Sequence, residues 1–110
     1  SHLQDIEQQK HLGWHVDVQG LDALKNNLAS NVVVKLSDKQ NQPIIAATVT
    51  IELWRLANSA DDQTIQFSET KPGEYHATLR LSDEGSWLTD LEIVKGNAHY
   101  ALKQPISVGQ

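Results

Sequence analysis

Apolar and polar residues alternate along most of the chain with a period of two, the spacing that places successive side chains on opposite faces of a β-strand. Trp14, Val16 and Val18 set against His15, Asp17 and Gln19 predict a first strand. Val32, Val34 and Leu36 against Val33, Lys35 and Ser37 predict a second, made largely of β-branched residues that suit a pleated surface. Ala47, Val49, Ile51 and Leu53 alternate with Thr48, Thr50, Glu52 and Trp54 in a longer run, expected at the centre of a sheet. A short strand follows with Ile65 and Phe67 inward. Tyr75, Ala77, Leu79 and Leu81 then face the core with His76, Thr78 and Arg80 outward. Trp87, Thr89, Leu91 and Ile93 form the next inner face, with Asp90 and Glu92 outward, and Tyr100 and Leu102 lie on a last strand ending near Pro105 or Val108.

Turn chemistry separates these runs. Asp38 to Pro43, Asn58 to Asp62 and Ser82 to Gly85 are turns or loops by composition. Lys71-Pro72-Gly73-Glu74 carries Pro and Gly at the central positions of a type II turn, where Pro presets φ and Gly accepts a positive one. Gly96-Asn97 suits a tight hairpin. Two stretches depart from the period. Leu3 to Leu12 is polar and rich in helix formers, which predicts a short frayed helix ended by Gly13. Leu21, Leu24 and Leu28 recur at helical spacing, consistent with either a helical turn or an edge strand with a loop.

About seven short strands without strong helices between them predict an all-β, immunoglobulin-like antiparallel sandwich with a short N-terminal helix. Residues 1–12 read as a stalk, with Ser1-His2 fitting a remnant of an expression tag, and residues 13–108 as the sandwich. Asp83-Glu84-Gly85-Ser86-Trp87-Leu88-Thr89 has the spacing of the corner before an immunoglobulin strand F, Asp-x-Gly-x-Tyr-x-Cys. Trp87 replaces the Tyr and Thr89 the Cys.

Composition narrows the chemistry. The 110 residues fit one domain, and 39% hydrophobic with 21% charged residues is a folding mixture. A net charge of −5 with no basic cluster argues against nucleic acid. Cysteine and methionine are absent, which removes disulfides, thiolate nucleophiles and the soft ligands Cu(I) prefers. No run approaches the roughly 20 apolar residues that span a bilayer.

No catalytic, cofactor or metal site is assigned. Of the five histidines, His2, His11, His15, His76 and His99, none shows H-x-H spacing and only His11 and His15 stand at H-x-x-x-H spacing, with the break expected at Gly13 falling between them. A Cu(II) site from His11, His15 and Asp17 is chemically open but not singled out by spacing. The carboxylate groups Asp61-Asp62, Asp83-Glu84 and Asp90/Glu92 fall in loops or on a solvent face, unlike the paired acids of general acid-base catalysis. Asp83 is read as a turn residue, and Asp90 with Glu92 as a solvated stripe. Trp14 and Trp87 are expected in the core. Trp54 lies on the face opposite Val49, Ile51 and Leu53, either exposed or covered by the N-terminal segment. If exposed, it is the first candidate for a contact surface.

The order of features resembles the FixH family. The resemblance rests on a polar helix running into Leu12-Gly13 and Val18, on Pro43-Ile44 followed by Ala47-x-Val49, and on Gly73-x-Tyr75-x-Ala77-x-Leu79 and Gly85-x-Trp87-x-Thr89-x-Leu91. YtkA-like domains share the latter half. The resemblance implies a periplasmic sandwich carried on one N-terminal membrane helix upstream of residue 1, on the periplasmic side of the bacterial inner membrane. It also implies a non-catalytic role in maturing a cbb-type haem-copper oxidase, with a copper-transporting P-type ATPase and oxidase assembly factors as partners. Two other readings stand beside it: a small periplasmic module binding Cu(II) or Zn(II), and a peptide or glycan recognition module centred on Trp54 or a sheet edge.

Overall fold

The computed structural model describes residues 12–55 and 62–110. Eight strands follow one another among them: β1 (His15–Gln19), β2 (Ser30–Ser37), β3 (Thr48–Trp54), β4 (Gln63–Gln66), β5 (Ser68–Lys71), β6 (Glu74–Leu79), β7 (Gly85–Lys95) and β8 (Ala98–Val108). They form two four-stranded sheets, β1-β2-β6-β5 and β4-β3-β7-β8, with every strand pair antiparallel. In immunoglobulin lettering these orders are A-B-E-D and C′-C-F-G.

The alternation read from the sequence is the alternation that packs the sheets together. Val32, Val34 and Leu36 from β2 and Tyr75, Ala77 and Leu79 from β6 meet Val49, Ile51 and Leu53 from β3 and Trp87, Leu91 and Ile93 from β7 in one buried cluster. Each Val, Leu or Ile among them, fully withdrawn from water, contributes about 1.5–3 kcal/mol. β3 has a neighbour on each side, as its length suggested. Trp14 stacks on Tyr100, ring centroids 6.3 Å apart, and so closes the edge of the core between β1 and β8.

The strand count differs from the expected seven because the chain changes sheets at Phe67. β4 pairs with β3, the buried Phe67 donates its amide to the Val49 carbonyl, and Ser68–Lys71 then joins β6 in the other sheet. All four residues of β5 are exposed, so no alternation marks it. The connection from Gly20 to Ala29 is neither helix nor strand. Leu21 and Leu24 are buried, Leu28 is exposed, and the Asn26 amide and Leu24 carbonyl bond the backbone of Gly109. Helical spacing there reflects two anchors dropped into the core by an irregular loop. The expected helix over Leu3 to Leu12 lies outside the described residues except for Leu12, and the Asn58 to Asp62 loop lies outside them except for Asp62.

Candidate functional site

The corner motif is built as its spacing suggests. The Trp87 ring is buried against the core and its indole Nε1–H donates to the Asp83 carbonyl at 2.9 Å. This is the bond a corner tyrosine makes through its hydroxyl, made here by a nitrogen. Asp83 also pairs with Arg55 at 3.3 Å, and the Arg55 guanidinium lies 5.9 Å from the centre of the Trp87 ring. Thr89, at the place of the cysteine, is buried and donates its hydroxyl to the Gln104 carbonyl at 2.8 Å. The β7–β8 pair thus satisfies this polar group within one sheet, without a bridge to the other.

A second cluster went unread in the sequence. The Tyr75 hydroxyl donates to the Ile44 carbonyl at 2.7 Å and accepts from the Ala47 amide at 3.0 Å. Glu69 accepts from the Ala46 amide at 2.9 Å through one carboxylate oxygen and from the Gly73 amide at 3.1 Å through the other. These bonds fasten the β2–β3 connection to the β5–β6 hairpin and hold Ala46 at φ 56°, a left-handed conformation unusual for a residue with a Cβ. The Ala46 amide, followed by that of Gly73, keeps the Glu69 carboxyl below the usual carboxylate range. Burial pushes the Tyr75 phenol up, opposed in part by the Ala47 amide.

Trp54 falls on the outer face of β3, as expected, and is half-buried there. It lies in a row with Leu88 of β7 and Pro105 of β8, and borders a shallow hollow of about 340 Å³ with Glu52, Leu53, Asp62, Gln63 and Thr64. The next row of that face places Asp90 between Glu52 and Lys103. Asp90 is not a member of a solvated stripe. It is half-buried, and its Oδ1 is shielded without a hydrogen-bond partner among the described residues. Burial first, and the neighbouring Glu92 second, raise its pKa, while Lys103 and His99 oppose the rise.

The histidines stand apart. His99 meets Glu92 at 3.0 Å, His76 lies 3.9 Å from Glu74, and His15 borders a different hollow beside Asp17. Among the described residues no three His, Asp or Glu side chains converge as metal ligands. His2, His11 and Asp61 lie outside the described residues.

A sequence profile of the FixH family matches residues 1–107, nearly the whole chain. The chain belongs to the FixH family. A search of curated proteins finds no match to this FixH-family sequence. Among solved structures it is similar to an engineered protein, with a TM-score of 0.64, 9% identity, and 88% of this chain on 20% of that one. It is also similar to the cell-surface-expressed multi-modular chitinase ChiW of a Paenibacillus species, at TM-score 0.56 and 16% identity over 87% of this chain and 9% of that one. The endo-β-1,4-mannanase of Thermotoga petrophila matches at TM-score 0.53 and 13% identity, over 86% of this chain and 19% of that one. The FixH-family chain therefore spans a fifth or less of each of these proteins, and the likeness shows the sandwich fold alone.

The residues that carry the family pattern have structural duties in this FixH-family chain. Ile44 and Ala47 are bonded by Tyr75, Gly73 by Glu69, and Trp87 by Asp83.

Proposed function

We propose that this FixH-family domain works by contact rather than catalysis, as a membrane-tethered periplasmic accessory that assists assembly of a cbb-type haem-copper oxidase. Its partner is a copper-transporting P-type ATPase or an assembly factor that works with it. The observation that carries this reading is the family match over residues 1–107. The tether in this reading is a membrane helix upstream of residue 1, as family membership implies; no helix among the described residues is itself long and apolar enough to cross a membrane. This domain has neither cysteine nor methionine, so a role beside a copper transporter is one of docking, not of carrying Cu(I).

Trp54 is our first assignment for the partner contact. An aromatic ring half-buried beside a polar hollow offers area at small conformational cost. Deleting the gene from its bacterium should lower cbb-type oxidase activity and the amount of assembled haem-copper subunit. The full gene should restore both, and the gene lacking residues 13–108 should not. Unchanged oxidase activity in the deletion strain would overturn the reading. Crosslinking from a single cysteine, which this cysteine-free chain makes unique, placed at Thr64 beside Trp54 should recover the transporter or its assembly partner.

A further inference from the structure

The two sheets arrange charge differently. Across β1-β2-β6-β5 the charged row alternates in sign, because register sets Asp17 opposite Lys35, Lys35 opposite Glu74 and Glu74 opposite Lys71. Each carboxylate has a cation on a neighbouring strand, the arrangement that stabilises an antiparallel pair. Across β4-β3-β7-β8 the alternation breaks. Glu52 stands directly opposite Asp90, two like charges at a cross-strand position where Cβ atoms lie about 5 Å apart, and Lys103 follows only on the far side of Asp90. Glu92 is two residues further along the same face of β7, about 7 Å away, and exposed Asp62 borders the hollow beside Trp54. Four carboxylates therefore share this outer face with one lysine, and His99 is already engaged by Glu92.

These acids lack internal partners. Among the described residues no ion pair within 4 Å joins Glu52, Asp62 or Asp90 to a base, and Asp90 Oδ1 has no hydrogen-bond donor. Like charges set opposite one another destabilise a sheet, and a local rule broken without compensation inside the fold points to a role outside it. The neighbouring row is apolar: half-buried Trp54 and Leu88 with exposed Pro105, about 7 Å from the row of Glu52 and Asp90. A metal ion does not suit the acids, because no three ligating side chains converge among the described residues. A guanidinium does. It is planar, can bond carboxylates on two sides and can stack on an indole.

We infer that this face receives a cationic segment of the partner protein, with an arginine entering among Glu52, Asp90 and Glu92 and an apolar side chain lying against Trp54, Leu88 and Pro105. The inference rests on the contact role proposed above and gives the chemistry of the surface that meets Trp54. The row spacing equals the spacing of alternate side chains on an extended strand, so a partner segment with an apolar residue and an arginine two positions apart matches both rows. Binding relieves the Glu52–Asp90 opposition of the free domain, which favours a basic segment over a neutral one of the same shape.

The test is an NMR titration of the isotope-labelled 110-residue chain with the peptide acetyl-Leu-Ser-Arg-Ser-Arg-amide. Signals of Glu52, Trp54, Leu88, Asp90 and Lys103 should shift, and those of β1, β2 and β6 should not. The same peptide with citrulline for arginine keeps the shape without the charge, and should bind about tenfold more weakly, as the loss of two exposed ion pairs predicts. Glu52→Gln/Asp90→Asn should weaken binding of the arginine peptide by a similar factor. Asp17→Asn/Glu74→Gln removes the same charge from the opposite face and should leave binding unchanged. Thermal unfolding of each variant separates weakened binding from lost folding. Equal binding of the citrulline peptide, shifts on both faces, or equal losses in the two double variants overturns the inference. The contact role is judged apart from it: intact oxidase activity in the deletion strain would remove that role and leave the peptide result to stand, whereas a silent titration removes the charge selection alone.

Discussion

Replacing Tyr75 by Phe removes one oxygen atom and, with it, two hydrogen bonds that reach across the sandwich to a loop some thirty residues earlier in the chain. The Tyr75 ring is 1% exposed and Ile44 is buried, so no water is positioned to take the place of the hydroxyl at the Ile44 carbonyl. Each bond contributes about 1 kcal/mol net, and a buried carbonyl left unpaired adds about 1 kcal/mol or more. The expected loss is therefore about 3 kcal/mol. For a domain of this size that lowers the midpoint of thermal unfolding by roughly 10–15 °C. With a urea dependence of about 2 kcal/mol per molar, the urea midpoint falls by roughly 1.5 M at unchanged slope. The phenol also faces Glu69, so the effects of Tyr75→Phe and Glu69→Gln should not simply add in the double variant. A loss below about 0.5 kcal/mol for Tyr75→Phe would show that the hydroxyl does not hold the loop, and the reading of this cluster as a clamp would fall with it.

Three further outcomes are expected. Glu69 has a folded-state pKa below its unfolded value, so the stability it contributes is present above the unfolded value near 4.5 and is lost as pH falls through the lower folded value. Urea midpoints of wild type and Glu69→Gln should thus converge in acid and separate toward neutrality, and a constant separation would contradict the assignment. Asp90 has the opposite shift, so its ionised form opposes folding above its raised folded-state pKa. Asp90→Asn should raise the urea midpoint at pH 7, with the advantage fading as pH falls toward the unfolded value near 3.8, and a lower midpoint at neutral pH would refute this. Gly73→Ala forces a Cβ to within 2.8 Å of both the Leu36 carbonyl and the Pro43 side chain at φ 78°, and should cost more than about 1 kcal/mol in urea unfolding. Gly96→Ala, at φ 59° with open space around it, should cost less than Gly73→Ala, and the reverse order would contradict the steric account.

What the sequence disclosed follows from what a period of two can carry. Faces such as Val49-Ile51-Leu53 and Trp87-Thr89-Leu91-Ile93 are buried on one side and read directly. β5 could not be read, because a short edge strand exposed at every position has no inner face to mark. The placement of Trp54 on the outer face was legible from parity alone, whereas the partial burial of Asp90 depends on neighbours in two other strands and on register. The Tyr75 clamp was hidden for a related reason. Parity sends that ring inward, but only the tertiary path of residues 44–47 gives its hydroxyl something to bond.

The family pattern and the proposed surfaces occupy different positions, and this has a geometric consequence. Ile44, Val49, Tyr75, Ala77, Leu79, Trp87, Thr89 and Leu91 are buried, so these residues specify how the sandwich closes and expose little to a partner. Contact must then come from what the closed sandwich displays. The clamp illustrates the link, because a left-handed Ala46 costs about 1 kcal/mol and is offset by bonds from Glu69 and Tyr75 whose effect is to aim Ile45 outward. Trp54 sits toward the other end of the strands. Trp54 pairs with Leu88, six residues along β7 from Val94, which at about 3.3 Å each sets it roughly 20 Å from the end of the sandwich that carries Ile45. A partner that meets Trp54 therefore does so well away from the loop that aims Ile45 outward, and the two surfaces can be altered independently.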